Sequence, residues 1–287
     1  MKAQVLHKAG QPFSLEEVPD PKPGPGEAVA RVLACGSGLT IHHIRAGRGE
    51  AEFPIVIGHE ITGEIVEIGR SDGYDHGLKV GDPVTAYFYL IEGEDKWTRA
   101  GRGPISTCNR GYVGRQINGG YAEYINLPIR NYIKLPEGLD WKNKPADVGV
   151  ITDAIATPYK VLSRARVSPT DTVAVFGAGG GLGVHQVMMA KWAHAKVIAV
   201  DVMADKLEVC KDLGADMVVD ASNDRVVEEI LGSRYCSVQQ VIESLEICAR
   251  GDVWPLVTET YKLEEAETVH ARLDQGLITG RAAIVMD

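Results

Sequence analysis

TVAVFGAGGGLGVHQVMMAKWAHAKVIAVD, residues 172–201, is the stretch that decides the fold of this chain. Its first five residues form a short apolar run rich in β-branched side chains, which is typical of a strand buried on both faces. A glycine-rich turn follows, and then a helical pattern with apolar residues towards one side. A second apolar run, Val197–Val200, ends on Asp201. The order strand, glycine turn, helix, strand predicts a parallel α/β unit.

The glycine turn and the acid after the second strand predict a dinucleotide site. Glycine lets the backbone turn sharply and approach a diphosphate, to which the next helix offers free N–H groups. Asp201 lies eighteen residues after Gly183, where a carboxylate accepts from the ribose hydroxyls of NAD and repels the 2′-phosphate of NADP. A glycine cluster alone is often a plain turn, but the flanking strands and the acid favour a cofactor site. The expected cofactor contacts are Gly177, Gly179, Gly180, Gly181, Leu182, Gly183, Asp201 and Lys206.

The composition limits the class of protein. The 287 residues suggest two domains, and a hydrophobic content of 45% is enough for a buried core. A formal net charge of −9 argues against nucleic acid and anionic membranes as partners. The N-terminal residues lack a signal-peptide pattern, no run is long enough to cross a bilayer, and the five cysteines are scattered. We therefore expect a cytoplasmic protein with free thiols.

The sequence pattern changes near Lys144. Before it, short apolar runs broken by glycine and proline, such as Ile61–Ile68 and Val84–Leu90, predict a small β-rich, barrel-like domain. After it, Val148–Leu162 is predicted to be helical with an interruption near Pro158. Further helices are predicted at Ala204–Leu213, Asp224–Leu231, Ser237–Arg250 and Glu264–Gln275. Further strands are predicted at Met217–Val219, Leu256–Tyr261 and Ala282–Met286.

Several motifs occur together along the chain: Gly58–Gly69, Val80–Val84, Gly119–Tyr124 and the glycine turn through Asp201. With them the chain resembles the medium-chain, zinc-type alcohol dehydrogenase family over nearly its whole length. The resemblance implies an α/β protein with a GroES-like β-barrel catalytic domain over 1–152 and a Rossmann NAD-binding domain over 153–254. Residues 255–287 would then return to the catalytic domain. It further implies hydride transfer between a small alcohol or carbonyl substrate and NAD, by a homo-oligomer.

The resemblance also implies a catalytic metal site, which is depleted here. His59, Glu60 and Asp153 match positions of zinc ligands, whereas the expected cysteine falls on Gly38. Cys35 lies three residues too early and is expected to pack in a strand. Zinc in such a site acts as a Lewis acid on the substrate oxygen. Two hypotheses stay open: a weakly held zinc, or a hydrogen-bonded pair of His59 and Asp153 in an empty cleft.

The family's proton relay is retained in the sequence. Thr40 matches the hydroxyl that touches the substrate oxygen, and His43 matches the imidazole that leads to solvent. His42 is either a substitute metal ligand or a packed histidine, and the second is favoured. The family's structural zinc needs four closely spaced cysteines, and segment 92–109 contains only Cys108. We therefore expect no structural zinc.

The resemblance breaks between Leu231 and Gly232. Strands four to six of a full dinucleotide fold have no candidate sequence there, which would leave the first strand as an open edge. A deletion, residues missing from the given sequence, or a partner chain that supplies the missing half would each explain the break. Two other functions stay open: a non-redox hydrolase or lyase that uses His59, Asp153 and His43, and a catalytically silent binding module.

Overall fold

The computed structural model describes residues 1–69, 77–222 and 238–286. Its strands are β1 (Lys2–Leu6), β2 (Ser14–Glu17), β3 (Glu27–Ser37), β4 (Ile55–Val56), β5 (Ile61–Ile68), β6 (Pro83–Ala86), β7 (Tyr89–Ile91), β8 (Asn109–Tyr112), β9 (Tyr124–Pro128), β10 (Tyr132–Lys134), β11 (Thr172–Phe176), β12 (Lys196–Asp201), β13 (Met217–Asp220), β14 (Val257–Lys262) and β15 (Arg281–Val285). Its α-helices are α1 (Leu39–Arg45), α2 (Lys96–Arg99), α3 (Pro145–Val150), α4 (Ala156–Ala165), α5 (Gly183–Trp192), α6 (Ala204–Asp212), α7 (Val238–Ala249) and α8 (Ala266–Asp274). Short 3₁₀ turns occur at Gly103–Ile105, Ile129–Asn131 and Leu263–Glu265.

The long strand β3 is the centre of the first domain. It pairs antiparallel with β5 along most of its length, with β9 on its first half and with β15 on its second half. Two register shifts within the β3–β5 pair bend the strand, as β-bulges do. Strands β14 and β15 therefore lie in the same sheet as β3, in the order β10-β6-β5-β3-β15-β14. The end of β3 leads directly to Gly38 and α1, so the sheet holds the start of the candidate site.

The dinucleotide stretch forms the predicted parallel unit. Strands β11, β12 and β13 pair in that order, with α5 and α6 as the connections between them. The predicted helix Asp224–Leu231 and the break after Leu231 lie outside the described residues. In the described part of the chain this sheet has three strands, so β11 has a neighbour on one side.

The prediction that the first strand is buried on both faces is wrong for the described structure. Thr172, Ala174 and Phe176 are exposed, and of the five residues of β11 only Val175 is buried. By contrast, β12 has neighbours on both sides and four buried residues among six. The apolar run correctly predicts a strand, but burial also depends on neighbouring elements that one sequence window does not contain.

The predicted helix interruption lies five residues earlier than expected. A π-turn over Ile151–Ile155 joins α3 to α4, whereas Pro158 lies in the first turn of α4. In a regular helix, the ring of Pro158 would clash with the carbonyl four residues back, that of Ala154. Because Ala154 lies in the π-turn, the wider turn relieves this clash. The same turn carries Asp153, and π-turns are frequent at functional sites.

Residues 92–109 leave the barrel as a loop, called the excursion loop below, which is organised by a carboxylate. Asp95 accepts hydrogen bonds from the backbone N–H groups of Trp97, Thr98 and Thr107 and from the hydroxyls of Ser106 and Thr107, at 2.8–3.0 Å. These donors hold the pKa of the Asp95 carboxyl well below its usual range, although partial burial opposes them. Asp95 thus ties the two ends of the loop together.

Neither membrane-spanning helices nor disulfides occur in the described ranges. No helix there combines the length and apolar character that crossing a bilayer requires. The described cysteines, Cys35, Cys108, Cys210 and Cys248, are unpaired, as the scattered spacing predicts. The cytoplasmic location stays a prediction.

Candidate active site

The structure brings His59, Glu60 and Asp153 together. His59 and Glu60 directly precede β5, and Asp153 faces them from the π-turn. One ligand atom from each of these buried side chains lies within 4.8 Å of the others. Burial and the charge of Arg281 lower the pKa of His59 to about 3, so its imidazole is neutral. Burial raises the pKa of Asp153, a shift that the hydroxyl of Thr157 opposes by donating to Oδ1 at 2.7 Å.

Arg281 is a site residue that sequence reasoning missed. It is the first residue of β15 and is 4% exposed. Its guanidinium donates to Oε1 of Glu60, and Nη2 lies 3.7 Å from Oδ2 of Asp153. Burial lowers the pKa of Arg281 to about 10, so the side chain remains a cation near neutral pH. A single arginine at the start of an otherwise apolar last strand was the available signal, but the partner Glu60 is 221 residues away.

Gly38 makes room for this guanidinium. A Cβ atom on Gly38 would lie 2.4 Å from Nη1 of Arg281, which is closer than real contacts allow. The backbone of Gly38 is extended, with φ −128° and ψ 175°, so its conformation does not require glycine. Cys35 lies within β3 and is buried, in agreement with its expected packing role. The position expected to hold a cysteine is therefore filled by an arginine side chain from another strand.

The proposed relay residues lie on α1, directly after Gly38. Thr40 is half-buried in the first turn of the helix, and His43 is exposed one turn later. Residues three apart on a helix share a face, so a proton path from Thr40 to solvent through His43 is sterically reasonable. Partial desolvation of the ring, with a contribution from the charge of Arg48, lowers the pKa of His43. The imidazole is therefore neutral near pH 7 and able to accept a proton.

His42 is a packed histidine, as the favoured hypothesis stated. Its ring stacks on that of His270 with centroids 6.0 Å apart. Its Nε2 lies 3.1 Å from a carboxylate oxygen of Asp274. The residue therefore joins α1 to α8.

The glycine turn is close-packed where the sequence expected cofactor contacts. A Cβ on Gly183 would lie 2.1 Å from the carbonyl oxygen of Gly177, and one on Gly179 would lie 2.2 Å from Cβ of Lys206. Gly177 has a positive φ of 66° and nothing within 4 Å of its Cβ position. Gly180 and Leu182 complete the turn before α5, and Leu182 is 40% exposed. The backbone of the turn is thus closely packed at Gly179 and Gly183, whereas the space beside Gly177 is open.

Asp201 and Lys206 both lie against this turn. Asp201 ends β12, and its Oδ2 accepts from the backbone N–H of Gly179 at 2.8 Å. Its other oxygen accepts from the N–H groups of Val202 and Met203 at 2.8 and 3.1 Å. Lys206, on α6, is buried with its stem over Gly179. The carboxylate of Asp201 and the stem of Lys206 therefore lie against the same turn, and their predicted contacts with the cofactor stay a prediction.

A buried histidine connects the turn to the C-terminal strands. Nδ1–H of His185 donates to the carbonyl oxygen of Gly181 at 2.7 Å, and Nε2 accepts from the N–H of Leu256 at 2.8 Å. The carbonyl of Leu256 accepts in turn from the N–H of Arg281 at 2.9 Å. Burial lowers the pKa of His185 to about 4. The backbone of Arg281 is therefore fixed relative to the glycine turn.

Phe88 is a further neighbour of the cluster that the sequence did not indicate. Its ring centroid lies 4.4 Å from that of His59. The aromatic ring covers one side of the imidazole and contributes to the burial that keeps it neutral.

Comparison with known proteins matches two regions of the chain to family models. Residues 24–137 match the alcohol dehydrogenase GroES-like domain, and residues 181–246 match the zinc-binding dehydrogenase domain. An alcohol dehydrogenase of Geobacillus stearothermophilus is 35% identical over 245 residues, covering 83% of this chain and 70% of that protein. The crystal structure of the alcohol dehydrogenase from Aeropyrum pernix has a TM-score of 0.88 at 26% identity, covering 99% of this chain and 100% of that one.

The alignment with one relative is longer than this chain. An NAD-dependent alcohol dehydrogenase of Sulfolobus acidocaldarius is 28% identical and aligns over 99% of both chains. The alignment spans 349 positions, 62 more than the 287 residues of this chain. Part of the relative therefore has no counterpart here. With both domains matched in the family's order, the chain belongs to the alcohol dehydrogenase family, with a GroES-like domain followed by a Rossmann-type, zinc-binding-dehydrogenase domain.

Proposed function

We propose that this chain transfers a hydride between NAD and a small alcohol or its carbonyl product. The observation that carries the proposal is the path of the Arg281 side chain. Its stem lies against Gly181 of the glycine turn, and its guanidinium ends on Glu60 of the buried cluster. The site expected for the diphosphate of the cofactor and the site expected for the reacting oxygen of the substrate are thus separated by the length of the Arg281 side chain. Hydride transfer needs this closeness because the two carbons must meet in a defined geometry.

The glycine turn fits a dinucleotide. The open space at Gly177 leaves room for a diphosphate beside the N-terminus of α5. In this proposal Asp201, at the end of β12, accepts from ribose hydroxyls and repels a 2′-phosphate, while Lys206 and Arg281 add positive charge on either side of the turn. Bound there, NAD supplies the carbon that takes up or returns the hydride.

The substrate's oxygen needs a proton path and positive charge nearby. Thr40 lies in the first turn of α1, close to Gly38, and its hydroxyl passes a proton to or from that oxygen in this proposal. His43 accepts the proton and exchanges it with solvent, because its ring is neutral and exposed. Arg281 stabilises negative charge that develops on the oxygen.

The side chains of the cluster fit a metal ion. A catalytic zinc site has three protein ligands and an open position. His59, Glu60 and Asp153 would hold the ion, since one donor atom of each lies within 4.8 Å of the others. The second oxygen of Glu60 is buried without a hydrogen-bond partner, although its other oxygen accepts from the guanidinium of Arg281. A zinc ion held there would polarise the substrate oxygen as a Lewis acid, and no step of the mechanism is routed through it.

Cofactor binding and turnover test this function. We expect the purified chain to bind NAD in calorimetry and to oxidise NADH in the presence of a panel of small aldehydes and ketones. Asp201→Asn should weaken NAD binding about tenfold, the loss expected for one charge-assisted hydrogen bond, and should reduce the preference over NADP. Asp205→Asn is the matched control, since Asp205 is an exposed acid on the next helix.

Two results would contradict the proposal. One is an absence of NAD binding in the folded protein, and the other is turnover of a substrate without a nicotinamide. The second result would favour the hydrolase or lyase hypothesis.

A further inference from the structure

Arg115 is a half-buried cation beside the candidate site, and no described residue pairs with its charge. Its Nε is buried and has no hydrogen-bond partner. The charge of Glu50 reaches Arg115, but Glu50 is exposed and forms no ion pair with it. A guanidinium withdrawn from water needs hydrogen bonds and a counter-charge to offset its lost hydration. The described part of the chain does not supply that counter-charge.

The guanidinium of Arg115 lies over two aromatic rings next to His59. Its Cζ is 5.7 Å from the ring centroid of Phe88 and 5.2 Å from that of Tyr112. Aromatic faces attract a cation but do not neutralise its charge. The ring of Phe88 also lies 4.4 Å from that of His59, and the charge of Arg115 contributes to the lowered pKa of His59. Arg115 is therefore close enough to act on a molecule bound at the cluster.

The loop that carries Arg115 is fixed against the backbone of Gly58, which directly precedes the cluster. Gly114 has a positive φ of 76°, and a Cβ on it would lie 2.9 Å from the backbone nitrogen of Gly58. The loop approaches this closely because Gly114 has no side chain. The N–H of Arg115 donates to the carbonyl of Tyr112 at 3.1 Å, and its carbonyl accepts from the N–H of Glu52 at 2.8 Å. These contacts fix the base of the Arg115 side chain relative to the cluster.

The charge and shape of the guanidinium favour a carboxylate as its partner. The neighbouring imidazole of His59 is neutral, and the other arginine of the site, Arg281, already pairs with Glu60. Arg115 thus adds one positive charge that a singly charged anion would balance. A carboxylate accepts two parallel hydrogen bonds from a guanidinium, which an ammonium group cannot donate in the same geometry. A neutral substrate would leave this cation without a partner.

We propose that Arg115 determines the substrate class by binding a carboxylate on the substrate, at a distance from the reacting oxygen. The substrates are then small hydroxy acids and the corresponding oxo acids. The choice of substrate rests on the proposed hydride transfer, whereas the carboxylate site rests only on the surroundings of Arg115.

Unreactive ligands test the carboxylate site without cofactor or turnover. Butanoate and butanamide are nearly equal in size and differ in charge, and calorimetry measures their affinities for the full chain. We expect butanoate to bind at least about tenfold more tightly, the gain typical of a charge-assisted pair. Arg115→Met should abolish this difference, because it keeps a long apolar stem but removes the charge. Arg110→Met should retain it, since Arg110 is an exposed arginine of β8.

Turnover then identifies the substrate class. NADH oxidation is compared between butanal, pentanal and hexanal and the oxo acids of the same lengths, 4-oxobutanoate, 5-oxopentanoate and 6-oxohexanoate. We expect at least one oxo acid to have a kcat/KM about tenfold or more above that of the matched aldehyde, through a lower KM. The ratio should fall in Arg115→Met and persist in Arg110→Met.

The two measurements separate the carboxylate site from the reaction. Equal affinity for butanoate and butanamide, or a difference that persists in Arg115→Met, would overturn the proposed role of Arg115 and leave hydride transfer standing. Tighter binding of butanoate through Arg115, with no NADH oxidation by any aldehyde or oxo acid, would contradict hydride transfer and support the carboxylate site.

A second variant covers the case in which Arg115→Met fails to fold, as circular dichroism would reveal. Arg115→Lys keeps the positive charge but loses the two parallel hydrogen bonds. It should bind butanoate more weakly than the wild-type protein does, and an unchanged affinity would count against the role of Arg115.

Discussion

At the scale of single residues, local motifs located most of the candidate site. His59 and Glu60 precede a strand, and Asp201 ends one, so a short window of sequence predicts their surroundings. Arg281 was missed because it reaches Glu60 only through the pairing of β15 with β3. That pairing depends on contacts more than two hundred residues apart in the chain. Gly38 was expected to contribute no ligand side chain, which stays a prediction, and what fills its space is visible only in the fold.

Three buried histidines predict acid sensitivity. Burial lowers the pKa of His59 to about 3, of His185 to about 4 and of His270 to about 3, from an ordinary 6.5. Below pH 6.5 the unfolded chain takes up these protons while the fold does not. The free energy of unfolding should therefore fall as pH decreases, by up to about 1.4 kcal/mol per pH unit for each histidine. Urea unfolding between about pH 7 and pH 5 measures this slope, above the range where most carboxylates titrate.

His270→Phe isolates one of the three contributions. The ring of His270 is fully buried between α8 and its neighbours and approaches the hydroxyl of Tyr121 at 3.2 Å. Phenylalanine keeps the aromatic volume but takes up no proton, so the slope should fall by the contribution of His270, up to about 1.4 kcal/mol per pH unit. His194→Asn is the control, since His194 is exposed and asparagine accepts its positive φ of 60°. An unchanged slope in His270→Phe would show that this histidine does not contribute.

At the scale of elements, periodicity predicted which helices and strands exist better than it predicted where one helix passes into the next. Most of the predicted elements in the described part of the chain occur within a few residues of their expected bounds. The sequence did not predict the position of the π-turn at Ile151–Ile155, because that position depends on how α3 and α4 pack around Pro158. The excursion loop was predicted only to lack a structural zinc. Its organisation by Asp95 needed the positions of Ser106 and Thr107, which approach Asp95 only in the folded loop.

The excursion loop should loosen when Asp95 loses its charge. In Asp95→Asn, one acceptor oxygen becomes an amide donor that cannot accept from Ser106 or Thr107, and charge-assisted bonds are about twice as strong as neutral ones. We expect faster amide exchange at Trp97, Thr98 and Thr107, and faster tryptic cleavage after Arg99. Glu94→Gln is the control because Glu94 is an exposed neighbouring acid. Equal exchange rates in both variants would mean that Asp95 does not hold the loop.

At the scale of the whole molecule, the C-terminal strands connect the two catalytic parts. β14 and β15 extend the sheet of β3, while His185 and Arg281 link the same strands to the glycine turn. The site is therefore assembled from segments far apart in the chain. The Rossmann-type sheet, by contrast, has three strands in the described ranges. The alignment with the alcohol dehydrogenase of Sulfolobus acidocaldarius spans 62 positions more than the 287 residues of this chain. Both observations agree with the break that the sequence predicts after Leu231, and the cause of that break and the domain limits stay predictions.

An open edge at β11 predicts self-association. Phe176 is 44% exposed at the end of this strand, and in the described ranges β11 pairs only with β12. An apolar strand with an unpaired edge is a template for another strand, and the symmetric solution is a second copy of the chain paired edge to edge.

Sedimentation velocity should therefore show a dimer. Phe176→Lys should shift it towards monomer, because a charged side chain on an edge opposes pairing. Met217→Lys, on the opposite edge strand β13, is the matched control and should leave the dimer intact. Dissociation by Met217→Lys alone would place the contact at the other edge of the sheet.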